Sequence, residues 1–258
     1  MHTEKSETVL LGKEEGLATI TLSRPEKRNA LSTEMRLRFG ACIADVSNDP
    51  EVKVVLIQGE GEAFCAGADL DKAPDSPLAW RDRILLAQKH HIAIARMQKP
   101  VVAAVQGMAV GGGASIALAA DILVMAEDAK LVFPFVRLGL VPDGGLSYLL
   151  QAKLTAAVSI DLLLAGGTLT AAQALRLGLT RRVVANQELG SAGLELAREL
   201  RRLPWEAAML TKSLCAQHWA AGLERVLSHE ADAFALASST EGHARALAAM
   251  REKLKKDK

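Results

Sequence analysis

The sequence is poor in the features that mark disulfide-stabilised, metal-binding or membrane-inserted chains. It has three cysteines, Cys42, Cys65 and Cys215, in 258 residues. An odd number without close pairing argues against a disulfide framework and for a reducing compartment. No Cys-x-x-Cys occurs and no two histidines have helical metal-ligand spacing, so no metal is expected. His90 and His91 are adjacent, cannot share one helix face, and read as surface or partly buried residues. Charge of one sign is also missing: 31 basic residues face 30 acidic ones, a formal net charge of +1. That balance gives no electrostatic case for nucleic acid. The most apolar stretch, Ala103 to Ala126, is interrupted by Gln106, four glycines and Asp121, which makes a poor membrane span. Met1 to Thr8 is polar and mixed in charge, without the apolar core of a signal peptide. A cytoplasmic protein with no membrane partner is the expectation.

What the chain does have is apolar content. Half of its residues are apolar, enough to bury a substantial core. Leu17 to Leu22 alternates as a strand does, and Val9 to Leu11 can pair with it in a hairpin. Ser32 or Thr33 can cap a helix carrying Met35, Phe39, Cys42, Ile43 and Val46 at helical spacing. Val52 to Ile57 reads as a buried strand ending at Gly59. Pro74 to Pro77 reads as an exposed loop and Trp80 to Met97 as a helix. Strand Val101 to Val105, turn Gly107 to Gly113 and helix Ala114 to Ala120 form the next unit. Ile122 to Met125, Leu131 to Phe133 and Val183 to Ala185 are further strands, with a helix from about Leu146 after the turn Pro142-Asp143-Gly144-Gly145. Strands alternating with helices indicate an α/β core. From about Gln187 only helix is expected, which divides the chain into an α/β part, 1–186, and a helical part, 187–258.

Two small-residue segments can carry chemistry. Gly107 to Gly113 follows a buried strand and opens a helix, so it exposes backbone N–H groups at the positive end of a helix dipole. Oxygens that are or become anionic are favoured there. Close strand–helix packing explains the same glycines. The Gly-x-Gly-x-x-Gly spacing of dinucleotide sites fails, because Ile116 fills the last place. Ala63 to Leu70 is a second small-residue loop. Its Cys65 has no evident base nearby and reads as a small apolar filler.

Together, Phe64-Cys-Ala-Gly-Ala-Asp-Leu70 and Val105-Gln-Gly-Met-Ala-Val-Gly-Gly-Gly113 resemble the two signature segments of the crotonase (enoyl-CoA hydratase/isomerase) superfamily. Arg24-Pro-Glu-Lys-Arg-Asn-Ala-Leu31, Ala120-Asp121-Ile122, Gly139 to Gly145 and Gly178-Leu179 follow in family order. The resemblance implies an α/β fold, a crotonase-type spiral of ββα units followed by a C-terminal helical trimerisation region. It implies homotrimers, often paired into hexamers. It implies an acyl-CoA thioester as substrate, coenzyme A being part of that substrate rather than a separate cofactor. By position, the Ala68 and Gly112 N–H groups would form an oxyanion hole, in the turns of Gly67 and Gly111. Lys27, Ala30, Ala66, Asp69 and Leu70 lie where the family binds the CoA moiety and acyl chain. Two fixed donors stabilise an enolate oxygen better than the neutral carbonyl, which lowers the barrier to removing the α-proton.

The chain departs from the family where water is added. The two glutamates of the hydratases are replaced by Ser115 and Phe135. A hydroxyl is a poor general base without help and a phenyl ring moves no proton. Ser115 is read as a residue that lines the substrate or binds water, and a wall of Phe135, Leu138 and Leu140 is expected to raise the pKa of Asp143. Pro-Asp-Gly is also a common turn sequence. With Asp143 as the remaining carboxylate, the expected activity is isomerisation of a 3-enoyl-CoA to the 2-trans-enoyl-CoA. An atypical enoyl-CoA hydratase and a non-catalytic CoA-binding paralogue are the alternatives.

Overall fold

The computed structural model describes residues 7–69 and 74–256. The chain opens with a hairpin of β1 (Val9–Glu14) and β2 (Leu17–Leu22), in which Glu14 pairs with Leu17. Glu15 and Gly16 both adopt positive φ at its tip, which matches the twist of the flanking strands. β3 (Val54–Gly59), β4 (Val101–Val105), β6 (Ile122–Ala126) and β9 (Val183–Val184) add in parallel, giving the sheet order β1-β2-β3-β4-β6-β9. Every residue of β4 is buried, as expected of a central parallel strand covered on both faces. A second sheet joins β5 (Met108–Val110), β7 (Lys130–Val132) and β8 (Thr168–Thr170).

The sequence pattern places most of these elements. The strand expected from Val52 starts at Val54, and the helix expected from Trp80 starts at Pro77 behind the Ser76 cap. Two strands escape the pattern. β5 lies inside the expected turn Gly107 to Gly113, and β8 is three residues long. Both exist because distant partners pair with them, not because their own sequence alternates.

Helices fill the space between and beside the sheets. They are α1 (Thr33–Asn48), α2 (Pro77–Arg96), α3 (Gly112–Ala119), α4 (Leu146–Lys153), α5 (Ala156–Leu164) and α6 (Ala171–Arg176). Ser32 caps α1 by accepting from Met35 N–H. From Leu189 the described chain is helical only: α7 (Leu189–Arg201), α8 (Trp205–Ser238) and α9 (Glu241–Lys256). The change of composition near Asn186 is not a break in packing. α7 lies on β3, β4 and β6, and α8 runs along α2.

A buried ion pair fixes that join. Lys212 of α8 meets Asp121 at 2.8 Å and donates to the carbonyls of Ile94 and Lys99. Lys212 is buried, although a lysine on a long helix would ordinarily be a surface charge. Its other end is equally well held, since Asp121 also accepts from Val101 N–H at 2.7 Å. No helix among the described residues is long and apolar enough to cross a membrane.

Candidate active site

The two small-residue loops are stitched to each other and to the early Arg24–Leu31 loop. Leu31 N–H donates to Gly67 O at 2.7 Å, and Ala66 N–H to Arg28 O at 2.8 Å. Cys65 N–H donates to Met108 O and Val110 N–H to Cys65 O, so Cys65 and Ala109 pair as parallel strands do. Gly67 has φ +84°, and a Cβ there would stand 2.5 Å from Val110 O, so the approach requires glycine. Asn29 supplies the side-chain stitch: its amide donates to Glu60 O and Ala63 O, and its oxygen accepts from Arg24 N–H.

This knot leaves two donors over. No described residue accepts a hydrogen bond from the Ala68 N–H or the Gly112 N–H. Ala68 follows the Gly67 turn, and Gly112 opens α3, where the first N–H groups have no partner within the helix. Their residues are partly exposed, while their neighbours Gly67, Gly111 and Gly113 are buried.

A small chamber opens beside Gly112. Leu31, Arg36 and Phe39 line it from α1 and the loop before it, and Ala87, His90 and His91 from α2. Ile116 of α3 and the Asp143-Gly144 turn complete it. Asp143 is buried there and its Oδ1 has no hydrogen-bond partner in the protein. Burial pushes its carboxyl above the usual range, and the Arg36 and Arg83 charges oppose that shift. Phe135, Leu138 and Leu140, expected as the wall beside Asp143, are not among the residues that line the chamber.

Gly144, at φ +65°, brings this turn against α3 and α2: a Cβ there would lie 2.6 Å from Ser115 Cβ and 2.9 Å from His91 Nε2. Glu230 of α8 holds the turn from behind. Its carboxylate accepts from Gly145 N–H at 2.7 Å, Ser147 N–H at 3.1 Å and the Ser147 hydroxyl at 2.5 Å. Burial pushes Glu230 up to about 7 in spite of these donors.

Of the residues expected at the site, Gly112 and Asp143 share the chamber. Ser115 is fully buried outside it, and its hydroxyl faces Gly111 O at 3.1 Å and Asp143 O at 3.0 Å. Through these contacts it ties α3 to the Asp143 turn. Phe135 is buried with its ring against Gly111. Leu138 is half-buried, and its carbonyl meets His243 Nδ1 of α9 at 2.7 Å. Lys27 is exposed in the 3-10 turn Pro25–Lys27, and Ala30 and Ala66 are half-buried beside it in the knot. Asp69 is buried and paired with Arg24 at 3.0 Å. Leu70 lies outside the described residues. Burial drives the Cys65 thiol up to about 11, consistent with a filler and not a nucleophile.

Two histidines correct the sequence reading. His90 and His91 are both buried, and both line the chamber. Adjacent helical residues do point apart, but here one faces α1 and the other the Gly144 turn. Gly40 makes the first approach possible, since a Cβ there would meet the His90 ring at 2.5 Å. Burial lowers His90 to about 3 and His91 to about 4, so both rings are neutral at pH 7. Arg36 was missed, although a signal existed. It falls in the same helical row as Phe39 and Ile43, a cation in an apolar stripe.

The sheet spiral, the stitched turns and the two free backbone donors define a crotonase-fold protein. Comparison with known proteins agrees. The enoyl-CoA hydratase/isomerase family model matches residues 12–258. The 1,2-epoxyphenylacetyl-CoA isomerase of Escherichia coli (strain K12) is 35% identical over 203 residues, covering 77% of this chain and 78% of that protein. The crotonyl-CoA hydratase of Syntrophomonas wolfei is 33% identical over 251 residues, covering 96% of each. A crystal structure of an enoyl-CoA hydratase from Mycobacterium avium subsp. paratuberculosis K-10 superposes with a TM-score of 0.88 at 30% identity, over 95% of this chain and 96% of that one. The chain belongs to the enoyl-CoA hydratase/isomerase family.

Proposed function

We propose that the protein moves the double bond of a 3-enoyl-CoA to the 2-trans position, with Asp143 as the single proton shuttle. The thioester carbonyl sits on the Ala68 and Gly112 N–H groups. Asp143 takes a proton from C2, and the electron pair of that C–H bond delocalises onto the thioester oxygen as a dienolate. The pair returns through C4, which collects the proton from Asp143, and the double bond is left between C2 and C3. Base and acid are the same carboxyl group, so no second carboxylate and no water are needed.

One observation carries this reading. Asp143 is the one carboxylate among the residues that line the chamber with Gly112. Its unpartnered Oδ1 and raised proton affinity suit a group that must take and return a proton. Ser115 and Phe135 occupy the positions where the resemblance puts the glutamates of hydration. The crotonyl-CoA hydratase relative favours a second reading, in which Asp143 positions a water for addition to a 2-enoyl-CoA.

Separate incubation with a 3-enoyl-CoA and a 2-enoyl-CoA divides the two. The expected result is isomerisation of the first and little hydration of the second. Asp143→Asn lowers isomerisation by about 10²–10⁴-fold, the usual contribution of a general acid–base. Fast hydration of crotonyl-CoA that survives Asp143→Ala sinks the isomerase reading.

A further inference from the structure

The chamber beside Gly112 holds a buried charge to which the proposed double-bond migration assigns no substrate contact. Arg36 is 4% exposed and faces the same space as Gly112 and Asp143. A guanidinium carries five N–H donors in a planar fork and keeps its charge in proteins. Arg36 Nε has no hydrogen-bond partner in the protein, and no described residue makes a hydrogen bond or ion pair with the rest of the fork. Asp143 is the opposite charge that acts on it most strongly. Asp143 Oδ1 is unpartnered as well, so the two do not close into an ion pair.

The other groups around Arg36 do not supply the missing acceptor. Leu31, Phe39, Ala87 and Ile116 are apolar. The Arg83 guanidinium, a like charge, reaches the carbonyls of Leu31 and Asp69. His91 Nδ1 donates to Ala87 O at 3.0 Å, so its neutral ring keeps a lone pair at Nε2. That nitrogen lies beside the Gly144 turn and has no hydrogen-bond partner in the protein. His90 stacks edge-on against Phe39 with a centroid distance of 5.4 Å, and its Nε2 has no partner. The space as it stands is about 10 Å³, so an acyl chain must part its walls to enter, and a plain alkyl chain there would leave the donors of a buried cation unmet, which is costly. A carboxylate matches the fork in both charge and geometry.

We propose that the acyl pocket takes a thioester whose short acyl chain ends in a carboxylate, bound by the Arg36 guanidinium while the thioester carbonyl sits at Ala68 and Gly112. The proposal rests on the isomerase reading only in taking those two turns as the thioester end. It adds a chemical benefit to that reading. A second negative charge beside Asp143 raises its affinity for a proton, at the moment it must take one from carbon.

The test compares glutaryl-CoA with pentanoyl-CoA, two saturated thioesters of equal carbon number, neither with a double bond to move. Both are titrated calorimetrically into the full chain. Glutaryl-CoA is expected to bind roughly ten- to a hundredfold more tightly, the range of a hydrogen bond to a charged group. In Arg36→Met the ratio collapses to about one, and Arg36→Lys restores part of it. Because the ratio is read within each variant, a change in overall stability does not imitate the effect. Equal affinities in the natural protein, or a preference that survives Arg36→Met, overturn the proposal and leave the isomerase reading in place. Failure of both thioesters to bind overturns both.

Discussion

At the scale of single residues, the site is built from groups that folding alone would not favour. Asp143 has its proton affinity raised by burial, so the native state holds that proton more tightly than the unfolded chain does. Stability therefore falls as pH rises from the ordinary value of 3.8, and the cost is complete once the pH passes the folded value. Asp143→Asn should lose isomerase activity and yet unfold at a higher temperature than the natural protein at pH 7. That gain should vanish below about pH 3.8, where both states are protonated. Thermal unfolding followed at several pH values reads this directly. A gain independent of pH would assign the effect to packing instead. Asp143 was legible as a candidate because it stands in a turn that the family resemblance marks. Arg36 carried only the signal of a cation in an apolar helical row, and His90 and His91 carried none, because their burial is made by residues far away in the sequence.

At the scale of elements, the chamber depends on a contact between α8 and the start of α4. Glu230 accepts three hydrogen bonds there and fixes the turn that carries Asp143. Glu230→Gln turns one acceptor into a donor that faces the Gly145 and Ser147 N–H groups. It should cost about 1–3 kcal/mol of stability, the range for an unmet buried partner. Denaturant unfolding measures that loss. It should also lower kcat while leaving acyl-CoA affinity nearly unchanged, since Glu230 lies behind the turn and touches no substrate. Equal loss of affinity would place Glu230 at the ligand instead. Sequence periodicity found α1, α2, β2 and β4 because each carries its own apolar pattern. It missed β5 and β8, whose three residues are strands only through their pairing with β7. The role of Glu230 was invisible for the same reason: on a long helix it reads as one more surface charge.

At the scale of the whole molecule, the helical C-terminal part is both buttress and exposed face. Lys212 and Glu230 pin α8 to the core, while Leu210 and Leu214, one turn apart on the same helix, are 56% and 62% exposed. The family resemblance implies trimers or paired trimers through this region. Light scattering of the purified chain should read three or six copies, and Leu210→Glu with Leu214→Glu should reduce the count. A natural protein that stays monomeric at micromolar concentration would remove the oligomer from the account of the site.

The two free donors at Ala68 and Gly112 are main-chain groups, so they are invisible to the genetic code. Among the ordinary residues only proline lacks the N–H, and it would put ring carbon where the thioester oxygen is proposed to sit. The donor at Ala68 can be edited without adding bulk in the backbone itself, by placing an α-hydroxy acid there so that an ester oxygen replaces the amide nitrogen. On the proposed mechanism that single-atom exchange should raise the barrier by about 2.7–4 kcal/mol, with every side chain in the protein unchanged. On the proposed mechanism, the part of the site that would stabilise the enolate is thus unaffected by every point mutation that only changes a side chain. The groups proposed to move protons and sort acyl chains, Asp143 and Arg36, sit on side chains and are free to drift.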